Sequence, residues 1–106
     1  MKLKIKPLNI GAERITSLYG MAKGLMFSKK KNLLFEFHRE QKIGIHMLFV
    51  FFPIIAVWID KRKRIKRVKI MKPFISLHEE KAKYLLEIPY NKRLFGILRN
   101  VRNLKF

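Results

Sequence analysis

The stretch Ile43–Asp60, IGIHMLFVFFPIIAVWID, decides what kind of molecule this is. Its first seventeen residues, Ile43–Ile59, carry no charge, and Lys42 and the run Asp60-Lys61-Arg62-Lys63-Arg64 bracket them. That length sits at the lower limit for a transmembrane helix, and basic flanks suit one. The interior does not. Pro53 lies near the middle, Gly44 and His46 interrupt the apolar character, and Ile43, Ile45, Val50, Ile54, Ile55 and Val57 are β-branched. Strands buried on both faces also read as unbroken apolar runs, and a proline between two of them is a normal connection. The run is therefore read as two strands meeting at Pro53, with a short single membrane span through Ile43–Ile59 as the alternative.

Working outward, Leu33–Phe37 (LLFEF) is another apolar run of strand length. The five polar residues His38-Arg39-Glu40-Gln41-Lys42 predict a hairpin loop between it and Ile43–Val50. Met1–Ile5 alternates lysine with apolar residues, the period of a half-buried strand, and Pro7 ends it. Asn9 and Gly11 supply turn chemistry, and Ala12–Met21 places Ile15, Leu18 and Tyr19 at helical spacing, which predicts a short helix. Downstream, Asp60–Arg64 reads as a turn. Ile65, Val68 and Met71 fit a helical period, while Val68 and Ile70 fit a strand equally well, so both assignments stand for that segment. Ala82–Ile88 (AKYLLEI) reads as a strand before Pro89, and Phe95, Ile97, Leu98, Val101 and Leu104 keep the tail apolar enough to join the core.

A chain of 106 residues suits one small domain, and 49% hydrophobic residues argue against disorder. The absence of cysteine excludes disulfides, thiolate zinc sites and thiol nucleophiles. The first residues lack the basic-then-apolar pattern of an export signal, so the expected compartment is the cytoplasm. Charge is the outstanding property: 25 Lys and Arg oppose 7 Asp and Glu, a formal net charge of +18. Lys61, Arg62, Lys63, Arg64, Lys66, Arg67, Lys69 and Lys72 crowd into one segment, with lesser groups at Lys29–Lys31 and in Lys92, Arg93, Arg99, Arg102 and Lys105. A cluster of that density can neutralise several phosphates at once, and the acids lie outside it apart from Asp60 at its head.

Several strings carry a family resemblance. Gly24-Leu25-Met26-Phe27, Leu34-Phe35, His46-Met47, Pro53–Asp60 and Ala82–Pro89 together resemble domain of unknown function family 192 in an archaeal-type form. The family pattern runs roughly GLM-F, an aromatic-rich strand, M-x-x-T-x-x-P-L-D-I-x-F-I-D, and A-x-Y-V-L-E-L-P-A-G; the spacing from Met47 to Asp60 matches without a gap. The resemblance implies a small β-rich sandwich or barrel with short helices and no established activity. It also implies two consecutive strands in place of a membrane span. Departures fall on the polar positions: Val50 replaces the family's Thr, Ile55 its Asp, and Leu48-Phe49 its Lys-Asn. Lys63 and Asn91 stand where relatives carry turn glycines.

The catalytic repertoire is thin. Glu36 and His38 would share one face of a strand, with His46 or Glu40 as a third metal ligand across the hairpin, but no recognised metal-ligand spacing is present. Ser17, Ser28 and Ser76 lack a nucleophile-elbow context, Gly20 and Gly24 fit no phosphate loop, and Asp60 is explained by turn formation. No catalytic, metal or cofactor residue is assigned. Phe35, Phe37, Phe49, Phe51, Phe52 and Trp58 are candidate base-stacking residues, with Phe51 beside the Phe52-Pro53 bend the one expected to be exposed.

The sequence thus predicts a mainly β (or α+β), single-domain sandwich- or barrel-like fold over residues 1–106 with one or two short helices. The expected function is non-enzymatic binding of RNA or DNA through Lys61–Lys72. The alternatives are a small-ligand or metal pocket near His38 and His46, the membrane span, and docking of the basic surface on an acidic protein partner.

Overall fold

The computed structural model describes residues 2–16, 30–47, 50–74 and 77–106. Six strands form one sheet: β1 (Lys2–Ile5), β2 (Ile10–Ile15), β3 (Leu33–His46), β4 (Ile54–Ile59), β5 (Ile65–Met71) and β6 (Leu77–Pro89). A short helix, α1 (Lys92–Leu98), follows. The spatial order is β1-β2-β3-β6-β4-β5. All pairings are antiparallel except β2 with β3, which run parallel over Glu13–Ile15 and Leu33–Phe35. The mainly β fold expected from sequence is what the chain adopts.

The deciding stretch resolves into the end of β3 and the whole of β4. Every β4 side chain is buried. Ile54, Ala56 and Trp58 enter a core layer on one face of the sheet; Ile55, Val57 and Ile59 enter a second layer on the other. A strand covered on both sides has no polar face, which is why it reads as a continuous apolar run. Among the described residues no helix is long and apolar enough to cross a membrane, so the single-span alternative fails for Ile43–Ile59.

β3 corrects a second expectation. His38–Lys42 is not a hairpin loop; the strand runs through it and pairs with β6 on both sides of a register shift between Glu36 and Gln41. A bulge bends a strand without ending it. Past the bulge, Gln41–His46 pairs with Leu77–Ala82 as a two-stranded ribbon that extends beyond β4. Solvent-facing residues there are polar, which makes mid-strand sequence look like a loop. The ribbon carries Ile43 and Ile45 onto the Trp58 layer, and the Trp58 indole N–H donates to the Ile43 carbonyl at 2.9 Å.

The proposed helix at Ala12–Met21 is also corrected: Ala12–Ile15 belongs to β2, and Ser17–Met21 lie outside the described residues. Alternation of buried Ala12 with half-buried Glu13 and Ile10's neighbour Gly11 serves a strand held between β1 and β3. Ile65–Met71, open by period, is a strand.

The two edges of the sheet meet through the segment after the helix. Lys6 and Lys105 exchange backbone hydrogen bonds at 2.9 Å, Leu104 N–H donates to Lys63 at 2.9 Å, and Ile65 N–H donates to Arg102 at 2.7 Å. This strap joins the β1 edge to the start of β5, giving the sheet its barrel-like closure. Leu94, Leu98 and Leu104 fill the enclosed layer beside Ile5, Leu86 and Ile88. Asn91 caps α1, its Oδ1 accepting from Leu94 N–H at 3.0 Å.

Candidate nucleic-acid interface

The basic segment occupies two contiguous elements: the turn after β4 and the edge strand β5. Asp60 organises the turn. Its Oδ1 accepts from the Arg62 and Arg64 N–H groups at 2.9 Å each, and its Oδ2 pairs with Arg64 Nε at 3.0 Å. Burial works against the charged carboxylate, but the backbone donors of Arg64 and Arg62 and the Arg64 guanidinium outweigh it and hold Asp60 below its ordinary value. Lys63 sits at φ 65, so the turn uses a left-handed position of the kind that favours glycine. Its ammonium reaches the Phe106 carbonyl and lies 4.5 Å from the Phe106 ring centroid.

Along β5 the register sets which way each cation points. Arg67 and Lys69 stand opposite Trp58 and Ala56, on the face over which the ribbon folds, while Val68 and Ile70 share the opposite face with Val57 and Ile55. Arg67 Nε pairs with Glu80 at 3.1 Å, and Lys66 Nζ donates to the Lys81 carbonyl at 2.6 Å. Glu80 also meets His78 Nε2 at 2.8 Å; that hydrogen bond, with the charge and hydrogen bond of Arg67, outweighs burial and keeps Glu80 below its ordinary value. Lys61, Arg62 and Lys69 are exposed, with no side-chain partner among the described residues. Lys72 is exposed at the far end of the strand. The eight cations therefore lie on one turn, one strand and the residue that follows it, but Arg64 and Arg67 are ion-paired.

An aromatic pair continues this surface. Phe74, two residues past Lys72, is 50% exposed and Phe51 is 61% exposed, their rings edge-on with centroids 5.3 Å apart. Phe74 sits at φ 67, a strained conformation for a bulky side chain, and its N–H donates to the Met47 carbonyl at 2.9 Å. Phe51 was the aromatic expected at the surface. Phe74 was not singled out, although its place after Lys72-Pro73 at a strand end signals a turn. Phe35, Phe52 and Trp58 are buried and Phe37 half-buried, which removes the buried three as platforms; Phe49 lies outside the described residues.

Among the described residues the proposed metal constellation is not assembled. Glu36 pairs with Arg14 Nη2 at 2.5 Å, and no group of three or more His, Asp or Glu converges among the described residues. The His46 side chain, like Ser17, Ser28, Ser76, Gly20 and Gly24, lies outside what is described. Glu36 and His38 do line a cavity of about 780 Å³ at the β3 bulge. A smaller cavity of about 400 Å³ lies at the turn, between Glu40 and the cations Lys61, Arg62, Arg64 and Lys66. There Glu40 Oε2 accepts from Lys61 N–H at 3.0 Å.

The family described as "Uncharacterized ACR", domain of unknown function family 192, matches residues 2–93. The chain belongs to domain of unknown function family 192. Among curated proteins none matches this family 192 chain. Two solved structures share its fold. A candidate transcription regulator from Sinorhizobium meliloti 1021 aligns with a TM-score of 0.76 and 17% identity, over 91% of this chain and 81% of that one. A protein of unknown function from Novosphingobium aromaticivorans DSM 12444 aligns with a TM-score of 0.78 and 13% identity, over 99% and 85%. At these identities the likeness is one of fold.

Proposed function

We propose that this family 192 protein is a non-enzymatic binding module for single-stranded RNA or DNA, with the strand running along the Asp60 turn and β5 toward Phe51 and Phe74. The observation that carries the reading is the exposed Phe51–Phe74 pair at the end of the basic strand. Lysine and arginine on the open edge supply attraction to phosphates without sequence preference. Exposed rings supply the second requirement, a face or edge for unpaired bases. Charge alone has a competing explanation, because lysines on an edge strand also discourage edge-to-edge aggregation. That role needs no exposed phenylalanines beside it.

Fluorescence anisotropy with labelled single-stranded and duplex oligonucleotides at two salt concentrations tests the proposal. The expected result is binding that weakens steeply with salt, favours single strands, and weakens about tenfold or more in the Phe51→Ala/Phe74→Ala double variant. Salt-independent binding, or no binding at low salt, refutes it. A preference for an acidic protein surface would appear as binding to polyglutamate that matches binding to the oligonucleotide.

A further inference from the structure

The cavity at the β3 bulge gathers its cations from three separate strands, whereas those of the turn cavity come from one continuous segment. Three cations reach it from three strands: Arg14 from β2, Arg39 from β3 and Lys83 from β6. Glu36 is the only acid among the described lining residues, and Phe37, half-buried, supplies an apolar wall. The bulge is what brings them together. The register of β3 on β6 jumps between Glu36 opposite Tyr84 and Gln41 opposite Ala82, so Phe37–Glu40 and Lys83 fall in the unpaired interval. Strand residues that would otherwise alternate between faces are released to surround one space.

We propose that this cavity binds a phosphate monoester with an apolar or aromatic body, at a site separate from the nucleic-acid surface on the turn and β5. Three cations against one carboxylate leave a local excess of two positive charges, which matches the dianion of a phosphate monoester. Arg14 supplies the sharpest argument. Its Nη2 is engaged by Glu36, while its Nε–H is buried with no hydrogen-bond partner among the described residues. Buried donors are almost always satisfied, and a guanidinium presents Nε and Nη as a fork suited to two acceptor oxygens. Side-chain adjustment that turns Arg14 toward the cavity would give an incoming phosphate oxygen that missing acceptor role. Arg39 is exposed, and Lys83 is half-buried with its ammonium 5.4 Å from the Tyr84 ring centroid, a contact at the cavity wall from which it can close on the anion. The volume, about 780 Å³, lies within the usual range for small-molecule sites and exceeds what a bare phosphate fills. Phe37 then receives the body of the ester.

Isothermal titration of the full chain with phenyl phosphate and with inorganic phosphate tests this, because the net charge of +18 makes weak, unsaturable anion binding the expected background. Two charge-matched double variants separate a site from that background. Arg39→Gln/Lys83→Gln and Lys61→Gln/Lys69→Gln each remove two positive charges, the first pair from the cavity and the second from the turn and β5. The expected result is saturable binding of phenyl phosphate, tighter than inorganic phosphate, weakened about tenfold by the first double variant and within about twofold of the parent in the second. Amide chemical-shift changes on titration should centre on residues 14, 36–41 and 83. Absence of saturation at millimolar phenyl phosphate overturns the proposal, as does equal weakening by both double variants. Oligonucleotide binding responds in the opposite order to these variants, so failure of this site and failure of the nucleic-acid surface are read separately.

Discussion

Glu87 offers the most direct test of the packing. It lies mid-sheet in β6, opposite Leu33 of β3 and Ala56 of β4, with 6% of its surface exposed. No hydrogen bond or cation holds its carboxyl among the described residues. Burial therefore favours the neutral acid, and its pKa is pushed up from 4.5 to about 8. The folded protein keeps a proton that the unfolded chain releases above pH 4.5. Stability from this group is thus fully present below 4.5, falls as pH rises, and is lost by about pH 8. The slope is about 1.4 kcal/mol per pH unit, so roughly 3 kcal/mol disappears between pH 5 and pH 7. Against total stabilities of about 5–15 kcal/mol for small domains, that loss is easily measured. Glu87→Gln removes the titration while keeping the side-chain shape. Urea unfolding of both proteins at pH 5, 6 and 7 should show the variant gaining about 3 kcal/mol on the parent across the series. Other titrating groups are common to both and cancel in the difference. Parallel profiles would refute the reasoning, because they would mean that Glu87 is charged and solvated in the folded state.

Three further outcomes are expected. Trp58→Phe, which removes the N–H bonded to Ile43 and leaves a void beside the ribbon, should cost about 1–3 kcal/mol in urea unfolding. Phe74→Gly, at φ 67, should raise stability by about 0.5–1 kcal/mol while weakening single-stranded oligonucleotide binding, and calorimetry with anisotropy reads both. Asp60→Ala should cost about 1–2 kcal/mol near neutral pH. Because the Asp60 pKa is lowered, the stability it contributes is present above its unfolded value of 3.8 and lost as pH falls below it, so the parent and Asp60→Ala should converge in acid.

Much of the fold was legible because its central strand obeys a simple rule. β4 has an apolar side chain at every position and is covered on both faces. The Asp60 turn was legible for a local reason, since an aspartate can bond the backbone two and four residues on. β3 was misread because a strand that passes from the covered sheet into a solvated ribbon changes composition midway. His38–Lys42 records that change of environment and the bulge that accompanies it, while the chain remains a strand. β2 was misread because the six residues Ile10–Ile15 are too few for period alone to separate strand from helix. The basic segment could be found as a run of letters. The bulge cavity could not, because Arg14, Arg39 and Lys83 converge only through the β3–β6 register shift. Phe74 was missed for the reverse reason: its sequence context is plain, and only its backbone angle and exposure set it apart.

The strap that bonds Lys6 to Lys105 also imposes an order of events on biosynthesis. All six strands emerge before the residues that join the two edges of the sheet, and Lys6, just past the earliest strand β1, waits for a partner almost a full chain length away. Until Arg102–Lys105 are made, Lys6 beside β1 and Lys63 and Ile65 at the start of β5 lack these backbone partners. Lysines at positions 2, 4 and 6, and those along β5, keep both waiting edges charged during that interval. Some of the basic character of this chain thus protects a nascent sheet that has been fully paired inside but not yet closed.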